Sequence, residues 1–268
     1  MSRTIALLGV GKLGEALLSG LIRSGTPPHS LVGAEKHPER AAEIVERYGC
    51  RTADAAEAVA EADVVLLAVK PQDMRTLLAE IAGSVRPGTL IVSMAAGIPS
   101  ALVEELLPDG TPVVRVMTNT PVFVDEAMSA LSAGSHASAE HLETIEALLS
   151  PVGKVVRVPE SQQDAVTALS GSGPAYFFFL VEAMIDAGIL LGLPRAVAAE
   201  LIVQTAVGSA RMLRESGEHP VVLREAVTSP GGTTISAIRV MEDHGVRAAM
   251  LAALEAARDR SRELAAGG

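Results

Sequence analysis

Apolar residues change their spacing once along this chain. Over residues 4–158, short solid apolar blocks alternate with stretches whose apolar positions recur every three or four residues. The blocks at 4–8, 31–34, 63–69, 89–93, 112–117, 126–131 and 152–158 predict strands. The stretches at 12–24, 38–48, 74–82 and 138–149 predict helices, the second opened by Pro38. Within 63–69, Val64, Val65, Leu66 and Leu67 leave no polar face, as in a strand covered on both sides. Strands alternating with helices predict an α/β, Rossmann-like domain with a mainly parallel sheet and right-handed crossovers. After Pro159 the alternation stops. Long Ala, Leu and Val-rich patterns predict helices at 162–191, 194–215, 233–243 and 246–264, with a shorter one near 221–227. Ser172-Gly173-Pro174 should bend or restart the first. We therefore expect two domains, 1–159 and 160–268, the second all-α. So apolar a helical half hides its surface better in an intertwined dimer than in a small core of its own.

The first block runs directly into Gly9-Val10-Gly11-Lys12-Leu13-Gly14, a G-x-G-x-x-G turn between strand and helix. Such a turn holds a pyrophosphate. Gly9 permits the tight exit from the strand, Gly11 leaves room for phosphate, and Gly14 lets helix and strand approach. The helix N-terminus then faces the anion with free N–H groups and the positive end of its dipole.

Composition narrows the partners. The net charge of −10 argues against nucleic acid or an anionic membrane, so an anionic ligand must be held locally. Aromatic residues make up 2% and Trp is absent, which disfavours base-stacking platforms. A single cysteine, Cys50, excludes an internal disulfide framework and suits a reducing cytoplasm. No secretory signal is visible. The longest apolar run, 176–193, contains Glu182 and Asp186 and reads as a buried helix rather than a membrane span.

Other strand ends supply candidates. Glu35 follows the second strand, where an acid bonds the ribose hydroxyls of NAD. Lys36, His37 and Arg40 follow at once and would welcome a 2′-phosphate, so local chemistry leaves the dinucleotide open. Ala68-Val69-Lys70-Pro71 ends the next apolar strand, and Lys70 is one of four lysines in the chain. Met94-Ala95-Ala96-Gly97 offers small residues against which a flat nicotinamide can lie. In Arg115-Val116-Met117-Thr118-Asn119-Thr120-Pro121, Asn119 either faces the site or serves the turn before Pro121. In the helical half, Thr228-Ser229-Pro230-Gly231-Gly232-Thr233-Thr234 joins hydroxyls to two glycines at a helix entrance, a nest for a carboxylate. The competing reading is a capped turn in which Ser229 caps the helix. Ser170-Gly171-Ser172-Gly173 is a second small-residue break, explained equally by close helix approach.

What is missing also selects the chemistry. No lysine follows Lys154, and only His219 and His244 lie beyond it. Oxidising an alcohol calls for a positioned base. Adding hydride to a protonated C=N does not, because the substrate already carries its charge. No cluster of His, Cys and Asp suggests a metal, and no Ser–His–Asp set is legible.

These motifs resemble the delta-1-pyrroline-5-carboxylate reductase family over essentially the whole chain. The most specific stretch is 227–234 with Ala237-Ile238 and Met241-Glu242, followed by 164–176; the glycine loop and the other strand-end motifs fall in the family's order. The resemblance implies an NAD(P)H-dependent cytoplasmic enzyme that reduces 1-pyrroline-5-carboxylate to L-proline, the last step of proline biosynthesis. It implies a Rossmann-like domain and a helical dimerisation domain, with dimers assembled into rings and no role for nucleic acid or membrane. It places the cofactor on Leu8, Gly9, Val10, Gly11, Lys12 and Leu13, on Ala68, Val69, Lys70 and Pro71, and on Ala95, Ala96 and Gly97; Gly14, Glu35, Lys36 and Asn119 are further candidates by their own positions. It places the substrate on Ser229, Gly232, Thr233 and Thr234, with the Thr234 hydroxyl directed at the ring nitrogen; Gly231 joins them as part of the same turn. NADPH is favoured over NADH, although Ala55 stands where many members carry an Asn that holds the adenosine end, and Glu35 is awkward for a 2′-phosphate. The alternatives are a hydroxyacid dehydrogenase of the 6-phosphogluconate type, disfavoured by the missing second-domain lysine, and a non-catalytic dinucleotide-binding regulator.

Overall fold

A computed structural model describes residues 3–265. Eight strands form one sheet in the order β3-β2-β1-β4-β5-β6-β7-β8. They are β1 (Ile5–Leu8), β2 (Leu31–Ala34), β3 (Arg51–Thr52), β4 (Val64–Leu67), β5 (Leu90–Ser93), β6 (Val113–Met117), β7 (Ala127–Ala133) and β8 (Gly153–Arg157). The first six run parallel; β7 pairs antiparallel with β6, and β8 runs parallel to β7. The sheet is thus mainly parallel, as the alternating pattern predicts. The final reversal was not legible, because an apolar block carries no direction.

The solid blocks prove to be two alternating patterns superposed. Leu7, Leu31, Leu66, Val92 and Val114 pack on one face with Leu17, Leu18 and Leu21 of α1 (Lys12–Arg23), Ile44 of α2 (Pro38–Tyr48) and Ile145 of a later helix. Ala6, Leu8, Val32, Val65, Leu67 and Ile91 pack on the other with Val59 of α3 (Ala55–Glu61), Leu78 and Ile81 of α4 (Met74–Ile81) and Val103 of α5 (Ser100–Leu106). The later helix is α6 (Ala139–Leu149). Burial on both faces is what removes the polar positions. The strand β3 and helices α3 and α5 had not been predicted. Two residues of strand and two turns of helix offer too few periods for a pattern to show.

Packing divides the chain into two compact units. One runs through Gly173 and resumes at Ala257; the other is Pro174–Ala256. The sheet stops at Arg157, close to the expected 159/160 boundary, but the next residues remain on it. Gln163, in the short helix α7 (Gln163–Val166), is fully buried and donates from its amide to the Ala130 carbonyl and the Ser132 hydroxyl. The remaining helices are α8 (Gly173–Leu190), α9 (Arg195–Ser216), α10 (Pro220–Ala226), α11 (Thr233–Asp243) and α12 (Val246–Ala265). The end of α12 returns to the first unit, where the Ser261 hydroxyl donates to Asp164 at 2.7 Å.

The second unit lacks an interior. Among its described residues only Ala198 is buried. The expected buried helix at 176–193 is instead exposed within one chain: Phe177, Phe178 and Phe179 are each about two-thirds accessible. Two helical stretches, Glu160–Leu190 and Arg195–Ser216, are long and apolar enough to cross a membrane by length and composition. An apolar helix without a core is covered by another surface. Placing Phe178→Glu in that face should weaken self-association about a hundredfold, since burying one Phe contributes about 1.5–3 kcal/mol and the carboxylate adds a desolvation cost. Sedimentation equilibrium against wild type measures it.

Candidate active site

The central strands end level with one another. In the parallel register Leu8 lies opposite Ala34 and Leu67, and Leu67 opposite Ser93. Gly9, Glu35, Ala68 and Met94 therefore leave the sheet side by side. Backbone bonds continue the ladder past the strands: Gly9 N–H to the Ala34 carbonyl, Ala68 N–H to Leu8, and Met94 N–H to Leu67, at 2.9–3.1 Å. The order reverses between β1 and β4, the point where open α/β sheets hold their ligands.

Each glycine of the turn has a separate physical reason. Gly9 adopts φ +93°, and a Cβ there would lie 2.9 Å from the Ala68 carbonyl oxygen. A Cβ on Gly14 would run into the Gly9 carbonyl oxygen, so glycine sets how closely α1 approaches β1. A Cβ on Gly11 would meet nothing within 4 Å. Gly11 is also the N-cap of α1 and offers no side-chain cap, so the first-turn N–H groups stay open to an outside acceptor. This cradle fits a pyrophosphate.

A cavity of about 490 Å³ lies along these strand ends. Leu8, Gly9, Gly11, Glu35, Lys36, Ala68, Val69 and Lys70 line it, together with His37, Ala53, Asp54, Ala55, Asp73, Leu77 and Glu80. Of the latter, Ala53, Asp54, Asp73, Leu77 and Glu80 were missed as site residues; Asp54 follows the unpredicted β3, and the others carry no motif. The remaining candidates lie outside this wall. Val10 is fully buried, so only its backbone serves the turn; Lys12 is exposed, and Leu13 and Pro71 are half-buried. Ala95 and Gly97 are buried and Ala96 half-buried, with Gly97 at φ +73°.

Arg40, one of the basic groups expected to welcome a 2′-phosphate, is occupied by protein. Its guanidinium bonds the Val10 carbonyl, Glu43 and Glu15. Glu15, in the first turn of α1, also accepts from Arg47 and from the Tyr48 hydroxyl at 2.8 Å. Burial by itself would raise the Glu15 carboxyl, but the hydrogen bonds of Arg40 and Tyr48 and the charges of Arg40 and Arg47 outweigh it and hold the group below its ordinary value. The cluster ties α2 to the glycine turn. Glu35 accepts from the His37 N–H at 3.1 Å, while the Lys36 and His37 side chains are exposed.

Asn119 is engaged at both ends. Its Oδ1 accepts from the Met128 N–H at 2.9 Å, and its Nδ2 donates to the Ser170 carbonyl at 3.1 Å. Ser170 belongs to a π-helical turn, Thr167–Gly171, which overlaps the start of the predicted small-residue break at Ser170 and Gly171.

In the second unit the glycine–hydroxyl stretch opens α11. Gly231 takes φ +69°, and Gly232 is the N-cap without a side-chain cap bond. The Ser229 carbonyl accepts from the Gly232 N–H at 3.1 Å, and a Cβ on Gly232 would lie 2.5 Å from the Ser229 hydroxyl. The capping reading of Ser229 thus fails: its hydroxyl lies over Gly232 without bonding the helix's first N–H groups. Ser229, Gly231 and Thr233 are exposed, and Gly232 and Thr234 half-buried. No group of three metal-ligating side chains occurs among the described residues.

Comparison with known proteins agrees with both units. Residues 160–264 match the family model described as pyrroline-5-carboxylate reductase dimerisation, and residues 4–97 match that described as NADP oxidoreductase, coenzyme F420-dependent. The pyrroline-5-carboxylate reductase of Corynebacterium melassecola is 48% identical over 265 residues, covering 97% of this chain and 98% of its own. That of Mycobacterium tuberculosis is 45% identical, covering 97% and 96%. The structure of a pyrroline-5-carboxylate reductase from Coxiella burnetii superposes with a TM-score of 0.91 at 35% identity, covering 98% and 99%. That of Plasmodium falciparum pyrroline carboxylate reductase with NADP bound gives 0.90 at 25% identity, covering 98% of each chain.

Fold and site define a nicotinamide-dinucleotide-dependent oxidoreductase that self-associates through its helical half. With these identities over nearly its full length, the chain belongs to the pyrroline-5-carboxylate reductase family. A group whose carboxyl is held low contributes stability above its unfolded value and loses it as pH falls through the folded one. Glu15→Gln should therefore destabilise the protein at pH 7, and the deficit relative to wild type should shrink as pH falls below the ordinary glutamate range, as read by urea unfolding across a pH series.

Proposed function

We propose that the chain reduces the C=N bond of 1-pyrroline-5-carboxylate to give L-proline, the last step of proline biosynthesis, with NADPH preferred to NADH. The observation that carries this reading is the start of α11. There two glycines, the hydroxyls of Ser229, Thr233 and Thr234, and an uncapped helix N-terminus fall within six consecutive residues, 229–234. In this reading 1–159 binds the dinucleotide, and 160–268 binds substrate and dimerises.

The bound dinucleotide supplies the hydride. The glycine turn and the first N–H groups of α1 hold its pyrophosphate. Ala68, Val69, Lys70 and Pro71 line one side, and Ala95, Ala96 and Gly97 leave a flat surface for the nicotinamide. The Ser229 hydroxyl and the N–H groups of Gly231, Gly232 and Thr233 hold the substrate carboxylate, which suits a helix start. The Thr234 hydroxyl orients the ring nitrogen. No side chain has to remove a proton from the substrate, because the imine is already protonated. The chain's contribution is proximity and orientation, which are worth roughly 7–11 kcal/mol in well-oriented reactions.

Coenzyme choice falls to Lys36. Arg40 is committed to Glu15 and Glu43, which leaves Lys36, next to Glu35 at the end of β2, as the cation on the cavity wall at that strand end; Lys70 lines the wall at the end of β4. Rings of dimers, a cytoplasmic location and the absence of nucleic-acid or membrane partners complete the proposal; the apolar helices are then a subunit interface.

Thr234→Ala should lower kcat by about two orders of magnitude and leave the dissociation constant for NADPH unchanged. Stopped-flow oxidation of NADPH with pyrroline-5-carboxylate, beside a fluorescence titration of NADPH, separates the two; unaltered turnover removes Thr234 from the reaction. Lys36→Ala should raise KM for NADPH about fivefold, as expected for one exposed ion pair worth about 1 kcal/mol. KM for NADH should not change.

A further inference from the structure

The loop from Met94 to Pro99 joins β5 to α5 and is held at its two ends by different means. At the near end the ladder continues, and the Met94 N–H donates to the Leu67 carbonyl at 3.1 Å. The Ser93 hydroxyl is fully buried and has no partner among the described residues. Between the ends, Ala95 and Ile98 pack into the core of this face, and Gly97 turns the chain at φ +73°. The far end has no local support. Helix α5 starts at Ser100, and its N-cap is Pro99, whose side chain offers no acceptor to the free N–H groups. Ser100 is nearly buried, so its N–H needs an acceptor inside the protein. Glu160 supplies it. One carboxylate oxygen accepts from the Ser100 N–H at 2.7 Å, and the other from the Ser100 hydroxyl at 2.5 Å. Arg115, also nearly buried, donates to the same carboxylate at 3.2 Å. Arg115 stands opposite Ser93 in the β5–β6 register. The loop therefore leaves the sheet at Ser93 and is tied back, through Ser100, Glu160 and Arg115, to the strand beside its own origin. All of these residues belong to the first compact unit.

We infer that Glu160 is a positioning residue for the coenzyme: it caps α5, fixes the far end of the 94–99 loop, and so sets where Ala95–Gly97 meet the nicotinamide. This role rests on the proposed placement of the nicotinamide on Ala95–Gly97 and needs nothing from the helical unit. Charge-assisted hydrogen bonds are short and directional, and three donors converging on one carboxylate fix both its place and its orientation. An apolar side chain at 160 would leave the buried Ser100 N–H unpaired, which costs more than the lost bond itself. Glu160 does not line the coenzyme cavity, whose wall runs from the glycine turn past Glu35 and Lys70. Its loss should therefore be felt at the nicotinamide end and not at the adenosine end.

Four variants of the full-length protein test this. Glu160→Ala removes the cap. Glu160→Gln keeps a carbonyl oxygen for the Ser100 N–H. Ser100→Ala loses only the hydroxyl bond and carries the test if Glu160→Ala does not fold. Ser93→Ala alters a buried hydroxyl at the other end of the loop and breaks no hydrogen bond. Two ligands are titrated by calorimetry: NADPH, and 2′-phospho-ADP-ribose, the same molecule without its nicotinamide. Hydrogen exchange is followed in peptides covering 94–102. Glu160→Ala should weaken NADPH about tenfold, leave 2′-phospho-ADP-ribose within about twofold of wild type, and speed exchange at least tenfold. Ser100→Ala should show the same pattern at about threefold. Glu160→Gln should restore NADPH to within about threefold, and Ser93→Ala should match wild type throughout. A merely structural role would weaken both ligands alike. Equal losses for the two ligands would overturn the inference, as would unchanged exchange in both Glu160→Ala and Ser100→Ala, or Ser93→Ala reproducing the effect of Glu160→Ala. Faster exchange with both affinities unchanged would show the anchor without the nicotinamide, which refutes the placement on Ala95–Gly97 and the positioning role with it.

Discussion

Four strands ending at one level are the constraint on which this protein depends. Leu8, Ala34, Leu67 and Ser93 stand in register, so the turns that follow them share one edge of the sheet. That alignment is itself a product of two-faced burial. Each strand is short and, Ser93 apart, without a polar side chain, and a slip along a neighbour would pull leucine or valine out of one of the two cores. Close packing then shapes the edge. Gly14 admits the Gly9 carbonyl, Gly9 takes a left-handed backbone against Ala68, and Gly11 alone opens outward. A cradle for an anion emerges without a single dedicated positive side chain, which an acidic chain requires.

The helical unit follows a different logic. Its residues are apolar enough for a core, yet one chain buries only Ala198 among those described. Phe177, Phe178 and Phe179 and the neighbouring leucines have no partner surface within the unit. A match to a dimerisation family accounts for this directly: the missing half of the interior belongs to another copy. Folding of this half and association are then one process, and its stability depends on protein concentration.

Between these two regimes lies the segment from Glu160 to Gly173. By sequence it belongs with the helices and by packing with the sheet. Charged, apolar and amide side chains from a single strand edge hold it, each in a different way. Mixed chemistry of this kind fixes a position more sharply than an apolar contact alone, because the Asn119 amide and the Arg115 guanidinium are directional and costly to leave unpaired.

The periodicity of the sequence determined most of the elements, and it did so because burial on two faces and on one stripe leave different signatures. The glycine turn, the strand-end motifs and the glycine–hydroxyl stretch were readable because each depends on residues close together in the chain. The identities of β3, α3 and α5 were not, since one or two turns carry too little pattern. Nor was the direction of β7, which depends on its neighbours. Only the tertiary structure decided that Arg40 serves Glu15 rather than a phosphate, and that Asn119 and Arg115 answer to Ser170 and Glu160. Those partners lie 25 to 51 residues away. The free energy of such pairings comes from proximity across space, which a local pattern of residues does not encode.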